Sequence, residues 1–145
     1  MPSIYLTKSL WSYKFRKLTY LIRAIGAYVF LNLTLFLNRL LNPNKTFIGI
    51  LLAEHLGDIV ASEPVIDALH KKFQDAEIYW IVKPVFTPIL TKHPGLSKVI
   101  LETNVLFSIL IARKNAFTQF YNLHLNELRK DPFFGTKLVN PYAEE

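Results

Sequence analysis

The stretch Ile48-Gly49-Ile50-Leu51-Leu52-Ala53-Glu54-His55-Leu56-Gly57-Asp58 decides how this chain folds. An apolar run of strand length enters a turn. The turn ends in Gly57-Asp58, and a helical pattern continues through Pro64 to Phe73. A buried strand feeding a helix is the first half of a βαβ unit. In open α/β sheets, ligands bind just beyond the carboxyl ends of the strands. Asp58 stands at that place, so its carboxylate is a candidate for chemistry as well as for helix capping.

Outward from this stretch the pattern alternates. Residues 46–53 read as a buried strand. Residues 58–73 read as a helix with Ile59, Val60, Pro64, Val65, Ala68, Leu69 and Phe73 on its inner side. Pro64 either kinks this helix or lies in its first turn with Ser62 as cap. Residues 77–82 form a second strand, and 85–92 a short helix closed by His93-Pro94-Gly95. Residues 98–101 form a third strand, 104–115 a helix and 118–123 a fourth strand. This alternation predicts an α/β fold, a Rossmann-like parallel sheet with right-handed crossovers. Residues 126–145 show no period and read as an irregular tail.

The 145 residues suffice for one domain with a real core. The formal net charge is +6, and it is unevenly placed. Residues 1–45 carry seven basic residues and no acidic one; residues 46–145 carry ten basic and eleven acidic. A basic extension therefore precedes a nearly neutral domain, the pattern of a segment that meets an anionic surface. The chain has no cysteine, which excludes disulfides, thiolate metal sites and thiol nucleophiles. Four scattered histidines without a His-x-x-x-His pair argue against a metal site. No Gly-x-Gly-x-x-Gly and no Gly-Lys-Ser/Thr is present, so an independent phosphate loop is not supported.

Residues 11–41 read as one long helix ended by Asn42-Pro43-Asn44. Arg16, Thr19, Tyr20, Arg23, Ala27, Thr34 and Asn38 share one narrow face, and most of the remainder is apolar. An amphipathic helix at a bilayer interface needs basic residues and aromatics near the headgroups, and Trp11, Tyr13, Phe15 and Tyr20 stand among the Lys and Arg. A single transmembrane anchor competes with this, although the charge-free run between Arg23 and Arg39 is shorter than the ~20 residues of a span. A helix that packs on another domain or partner also competes. A signal peptide does not fit, because no small-x-small cleavage site follows the apolar run.

Residues 47–100 resemble the N-terminal domain of glycosyltransferase family 9, the lipopolysaccharide heptosyltransferase family. The resemblance rests on Ile48 to Leu52, Gly57-Asp58, Pro64 with Ala68-Leu69 and Phe73, Ile78-Tyr79-Trp80-Ile81-Val82, His93-Pro94-Gly95 and Val99-Ile100, in that order. Tyr121-Asn122-Leu123-His124 extends it to about residue 125. It implies the N-terminal, acceptor-binding half of a GT-B fold. Three parts follow: a membrane-associating helix over 1–45, the acceptor domain over 46–125, and the tail over 126–145. The donor-binding lobe is expected to lie outside this chain. It further implies inverting transfer of a heptose or hexose from a nucleotide sugar to a lipopolysaccharide or lipid-linked acceptor, with Asp58 as base. No cofactor is implied, since the nucleotide sugar is a substrate. Where the family shows small or hydroxyl residues before Gly-Asp, this chain has Glu54-His55-Leu56.

Gly57, His55, Glu63 and His124 are the expected acceptor-binding residues. Each has a plainer reading: His55 as an exposed turn histidine, His124 as a strand-end histidine, and Asp58 itself as a helix-capping carboxylate. Lys71-Lys72 reads as a solvated face. The expected location is the cytoplasmic face of the inner membrane, peripheral or held by a single span, with an anionic bilayer as partner. A non-catalytic domain that binds membrane, acceptor or a partner subunit is the alternative function. Nucleic-acid binding ranks last, because the domain has no basic stripe.

Overall fold

A computed structural model describes residues 3–114, 116–124 and 129–138, with side chains from residue 9 onward. In chain order the elements are helix α1 (Ser3–Leu41), strand β1 (Thr46–Leu51), helices α2 (Leu56–Ser62) and α3 (Pro64–Lys72), and strand β2 (Ala76–Val82). After a 3₁₀ turn at Pro84–Phe86 come helix α4 (Thr87–Leu90), strand β3 (Lys98–Leu101), helix α5 (Val105–Lys114) and strand β4 (Gln119–Asn122). Two short strands, β5 (Arg129–Lys130) and β6 (Lys137–Leu138), complete the described chain.

The first four strands form one parallel sheet in the order β3-β2-β1-β4. Ile48 on β1 lies opposite Ile78 of β2 and Gln119 of β4. The α/β class and the parallel pairing expected from the sequence are therefore present. Side chains alternate across the sheet as the two-residue period demands. Phe47, Leu51, Ala53, Tyr79 and Ile81 enter one core cluster. Ile48, Ile50, Leu52, Ile78, Trp80 and Val82 enter the other, under α2, α3 and α4. Gly49 permits a close approach on the first face. A Cβ there would lie 2.5 Å from the Phe117 ring.

The helix expected over 58–73 is two helices. Pro64 has no N–H to donate to the carbonyl four residues back. The Glu63 N–H bonds Val60 O at 3.3 Å instead, and Pro64 opens α3. Ser62 caps neither helix; Glu63 occupies the joint in helical geometry. The break resets the helical phase, so Ile59, Ile66 and Leu69 are buried while Val60, Pro64 and Ala68 are exposed. The helix expected over 85–92 is only the 3₁₀ turn followed by α4.

Helix α1 covers the sheet face opposite α2 and α3, beside α5. Ala24, Leu31 and Leu35 are buried there, with Tyr20, Leu21, Ala27 and Tyr28 packed around them. The spacing is that of one helical stripe. Polar bonds pin the same stripe: Asn104 donates to Tyr20 O at 3.0 Å, Asn38 to the Tyr79 hydroxyl at 3.2 Å, and Arg39 to Ala116 O at 2.7 Å. The buried stripe is therefore apolar; of the expected narrow face, Tyr20, Ala27 and Asn38 border it on the protein side, while Arg16 and Arg23 are exposed. The wide apolar face looks outward: Trp11, Phe15, Phe30 and Leu40 are between 64% and 77% exposed. By length and composition, Ser9–Leu41 could cross a membrane.

Of the expected irregular tail, residues 129–138 are described, and they form an antiparallel hairpin. The rest of 126–145 lies outside the described residues.

Candidate functional site

Strand order 3-2-1-4 reverses the direction of winding between β1 and β4. In doubly wound sheets, the crevice at the carboxyl ends of such a strand pair is where ligands bind. Beyond β1 the chain passes through Ala53, Glu54 and His55 into α2. Asp58 lies in the first turn of α2 and is exposed. Helix N-termini favour a negative charge by roughly 0.3–1 kcal/mol. Gly57 beside it faces open space, and a Cβ there would meet nothing within 4 Å. Packing does not demand this glycine, and its bare surface leaves Asp58 approachable from outside.

His55 precedes α2 with φ 62° and ψ 103°, the one non-glycine residue at positive φ among those described. Its carbonyl accepts the Ile59 N–H at 3.1 Å. Such backbone is strained for a residue with a Cβ, typically by ~1–3 kcal/mol. His55→Gly should therefore raise stability by about 1 kcal/mol, read from the urea midpoint. A loss of stability instead would mean that contacts of the imidazole outweigh the strain.

His124 follows β4 and is buried. Its Nε2 accepts the Ala53 N–H at 3.1 Å, which joins the two strand ends that flank the crevice. Glu63 is directed elsewhere. Its Oε1 lies 3.4 Å from His93 Nε2, so it holds the His93-Pro94-Gly95 turn against the α2–α3 joint. His70 Nε2 reaches Gly95 O at 2.7 Å in the same contact. A Cβ on Gly95 would lie 2.7 Å from Ile66, which explains a glycine in this turn. The structure thus gathers Gly57, Asp58, His55 and His124 at the carboxyl ends of β1 and β4, and ties Glu63 to the 93–95 turn.

A charge network missed by the sequence reading backs this edge. Arg129 grips Glu102 with two bonds, Nη1 to Oε1 at 2.6 Å and Nη2 to Oε2 at 2.9 Å. Both side chains are almost fully buried, and Ser108 donates to the same carboxylate. Arg129 also reaches Glu54 Oε1 at 3.2 Å, and Lys83 bonds that oxygen too. Burial alone would raise the Glu54 pKa. The Lys83 bond, with Arg129 and His124 nearby, brings it below its ordinary value. Lys83 and Glu102 directly follow β2 and β3, and Glu54 comes three residues after β1, so each strand end supplies one charge. A cavity of about 530 Å³ opens beside Lys83, Glu102 and Arg129. Among the described residues, no three of His, Asp and Glu converge as metal ligands.

No protein-family model matches the chain, and no curated protein matches it. Among solved structures, it is similar to a glycosyltransferase family 9 protein from Veillonella parvula DSM 2008. The identity is 21% and the TM-score 0.47, over 56% of this chain. The chain spans 26% of that protein's length.

Proposed function

We propose that this chain is the acceptor half of a family 9-type, GT-B glycosyltransferase that works at an anionic membrane surface. One observation carries the reading. An exposed carboxylate, Asp58, stands in the first turn after β1 at the switch point of a parallel sheet, beside a glycine that packing does not require. The ordered motifs from Ile48 to Ile100 support the family assignment.

In the proposed reaction, Asp58 accepts the proton of an acceptor hydroxyl. The hydroxyl oxygen then forms the new bond at the anomeric carbon. The bond to the nucleotide diphosphate breaks on the opposite face, and the leaving group departs with its electron pair. The donor is a heptose or hexose nucleotide, held by a second lobe outside these residues. The acceptor is a lipopolysaccharide or lipid-linked glycan.

The outward face of α1 supports a peripheral seat on the cytoplasmic side of the inner membrane. Interfacial helices bury an apolar face at headgroup depth and keep basic residues near anionic lipid. A spanning α1 is disfavoured by its attachments. From Tyr20 to Arg39 it is bonded to the sheet domain, so a span would pull polar protein surface into hydrocarbon.

The test is a transfer assay. Joined to a donor-binding lobe of the same family, the chain should label a glycolipid acceptor from a radiolabelled heptose or hexose nucleotide. Absence of labelled product with both donor classes overturns the reading.

A further inference from the structure

Arg16, Thr19 and Arg23 lie at i, i+3 and i+7 on α1, so they share one flank, with the two arginine Cα atoms roughly 10 Å apart along the axis. They line a cleft of about 220 Å³ whose far wall is Thr103 and Asn104, in the turn between β3 and α5. That turn is a carboxyl strand end. The first half of α1 therefore reaches over the ligand edge of the sheet.

The groups that hold the cleft together already have partners. Asn104 Nδ2 donates to Tyr20 O at 3.0 Å, and its Oδ1 accepts the Phe107 N–H at 3.0 Å. The Tyr20 hydroxyl accepts the Leu106 N–H at 3.3 Å. The Thr19 hydroxyl is turned back to Phe15 O and Arg16 O, each at 3.0 Å, so what remains on the walls is two guanidinium groups and the Thr103 hydroxyl, with no carboxylate among the lining residues. Three other cations of residues 9–45 are engaged. Arg39 donates to Ala116 O, Lys45 pairs with Glu77, and Lys17 lies over the Phe134 ring. Among the described residues, neither Arg16 nor Arg23 has a carboxylate partner. Two guanidinium forks along one wall of a small cleft match the oxygens of a phosphate.

The setting names the source of that phosphate. On one side, the cleft shares Tyr20, Thr103 and Asn104 with the larger cavity that reaches Lys83 and Arg129. On the other, Phe15 and Ile22 of α1 are exposed on its apolar face. A phosphate at the membrane surface can enter from the lipid side while the rest of its molecule points along the sheet edge.

We propose that the cleft between α1 and the β3–α5 turn is a phosphate-binding subsite for a membrane-anchored acceptor, clamped by Arg16 and Arg23 with a hydroxyl bond from Thr103. The identity of the molecule as an acceptor rests on the transferase reading; the binding of its phosphate does not. The test therefore reads binding alone, and it can fail or succeed independently of transfer.

The full chain is sedimented with phosphatidylcholine vesicles that contain either phosphatidic acid, a phosphomonoester, or phosphatidylglycerol, matched in surface charge. Wild type should prefer the phosphatidic acid vesicles. R16Q/R23Q should lose about tenfold or more on them, the loss expected from charge-assisted hydrogen bonds, and with it the preference. K8Q/K14Q removes the same charge from α1 and should weaken both vesicle types equally, with the preference intact. R16K/R23K keeps the charge without the forks and should also lose preference, which covers a folding failure of the first variant. Inorganic phosphate, added without vesicles, separates the sources. Competition at millimolar levels would show that the cleft takes free phosphate, and failure to compete would assign it to lipid-borne phosphate. Equal losses for R16Q/R23Q and K8Q/K14Q on both vesicle types, or a wild type without preference, overturn the proposal.

Discussion

Asp58→Asn in the joined enzyme should reduce turnover by about 10²–10⁴-fold with donor affinity unchanged, the range typical of a well-placed general base. That corresponds to roughly 3–5.5 kcal/mol of transition-state stabilisation. Asparagine nearly preserves the shape of aspartate and cannot accept the proton. Asp58 is exposed and supports no described hydrogen bond, so the fold has little to lose. Only the modest helix-terminus interaction disappears, and the urea midpoint should move by less than about 1 kcal/mol. Full turnover in this variant would make Asp58 a charge partner of α2 alone. His55 and Glu63 would then be the next bases to test, with Glu63 already engaged by His93.

Arg129→Met should destabilise the chain by about 3–5 kcal/mol, because it leaves the Glu102 carboxylate buried without its cation. The geometry sharpens this expectation. Both Arg129–Glu102 bonds are short, and both side chains are almost out of water. Replacing both partners, as in R129M/E102L, should recover most of the loss, since an apolar pair of similar volume needs no counter-charge. Equilibrium urea unfolding of the single and double variants checks both values. Acid should act through the same network. The Glu54 pKa is lowered in the folded chain, so its contribution is present above the ordinary carboxylate value of 4.5 and is lost as pH falls through the lower folded value. R129M should weaken that acid dependence, because Arg129 is one of the cations that hold Glu54 ionised.

Strands were legible because their signal is local. The run 98–101 coincides with β3, and those at 46–53, 77–82 and 118–123 bracket or nearly match β1, β2 and β4. The order of Gly57-Asp58 after β1 was likewise enough to place Asp58 at the carboxyl edge of the sheet. What failed depended on tertiary choices. Pro64 signalled a disturbance, but its outcome turned on whether Glu63 or Ser62 took the joint. The periodicity of α1 marked a narrow stripe without saying which side meets protein, since sheet and lipid are both apolar. Arg129 lay in a segment without period, and nothing local points from it to Glu102. Glu54, Lys83 and Glu102 did carry a signal, as charges placed within three residues of three strand ends.

The proposed membrane seat and the proposed phosphate subsite both require α1 to lie flat on a bilayer, with its buried stripe on the sheet and its wide exposed face in the lipid interface. The chain has no cysteine, so single cysteines can report depth at chosen sites. Ile22, Val29 and Phe36 lie on the exposed side of α1, seven residues or roughly 10 Å apart along the axis. A spin label at each, read by paramagnetic relaxation from lipid-soluble and water-soluble agents on anionic vesicles, measures immersion. A flat helix predicts nearly equal shallow depths at all three positions. A depth that changes by roughly 20 Å from Ile22 to Phe36 would describe a spanning helix, and no immersion at any of the three would remove the membrane seat altogether.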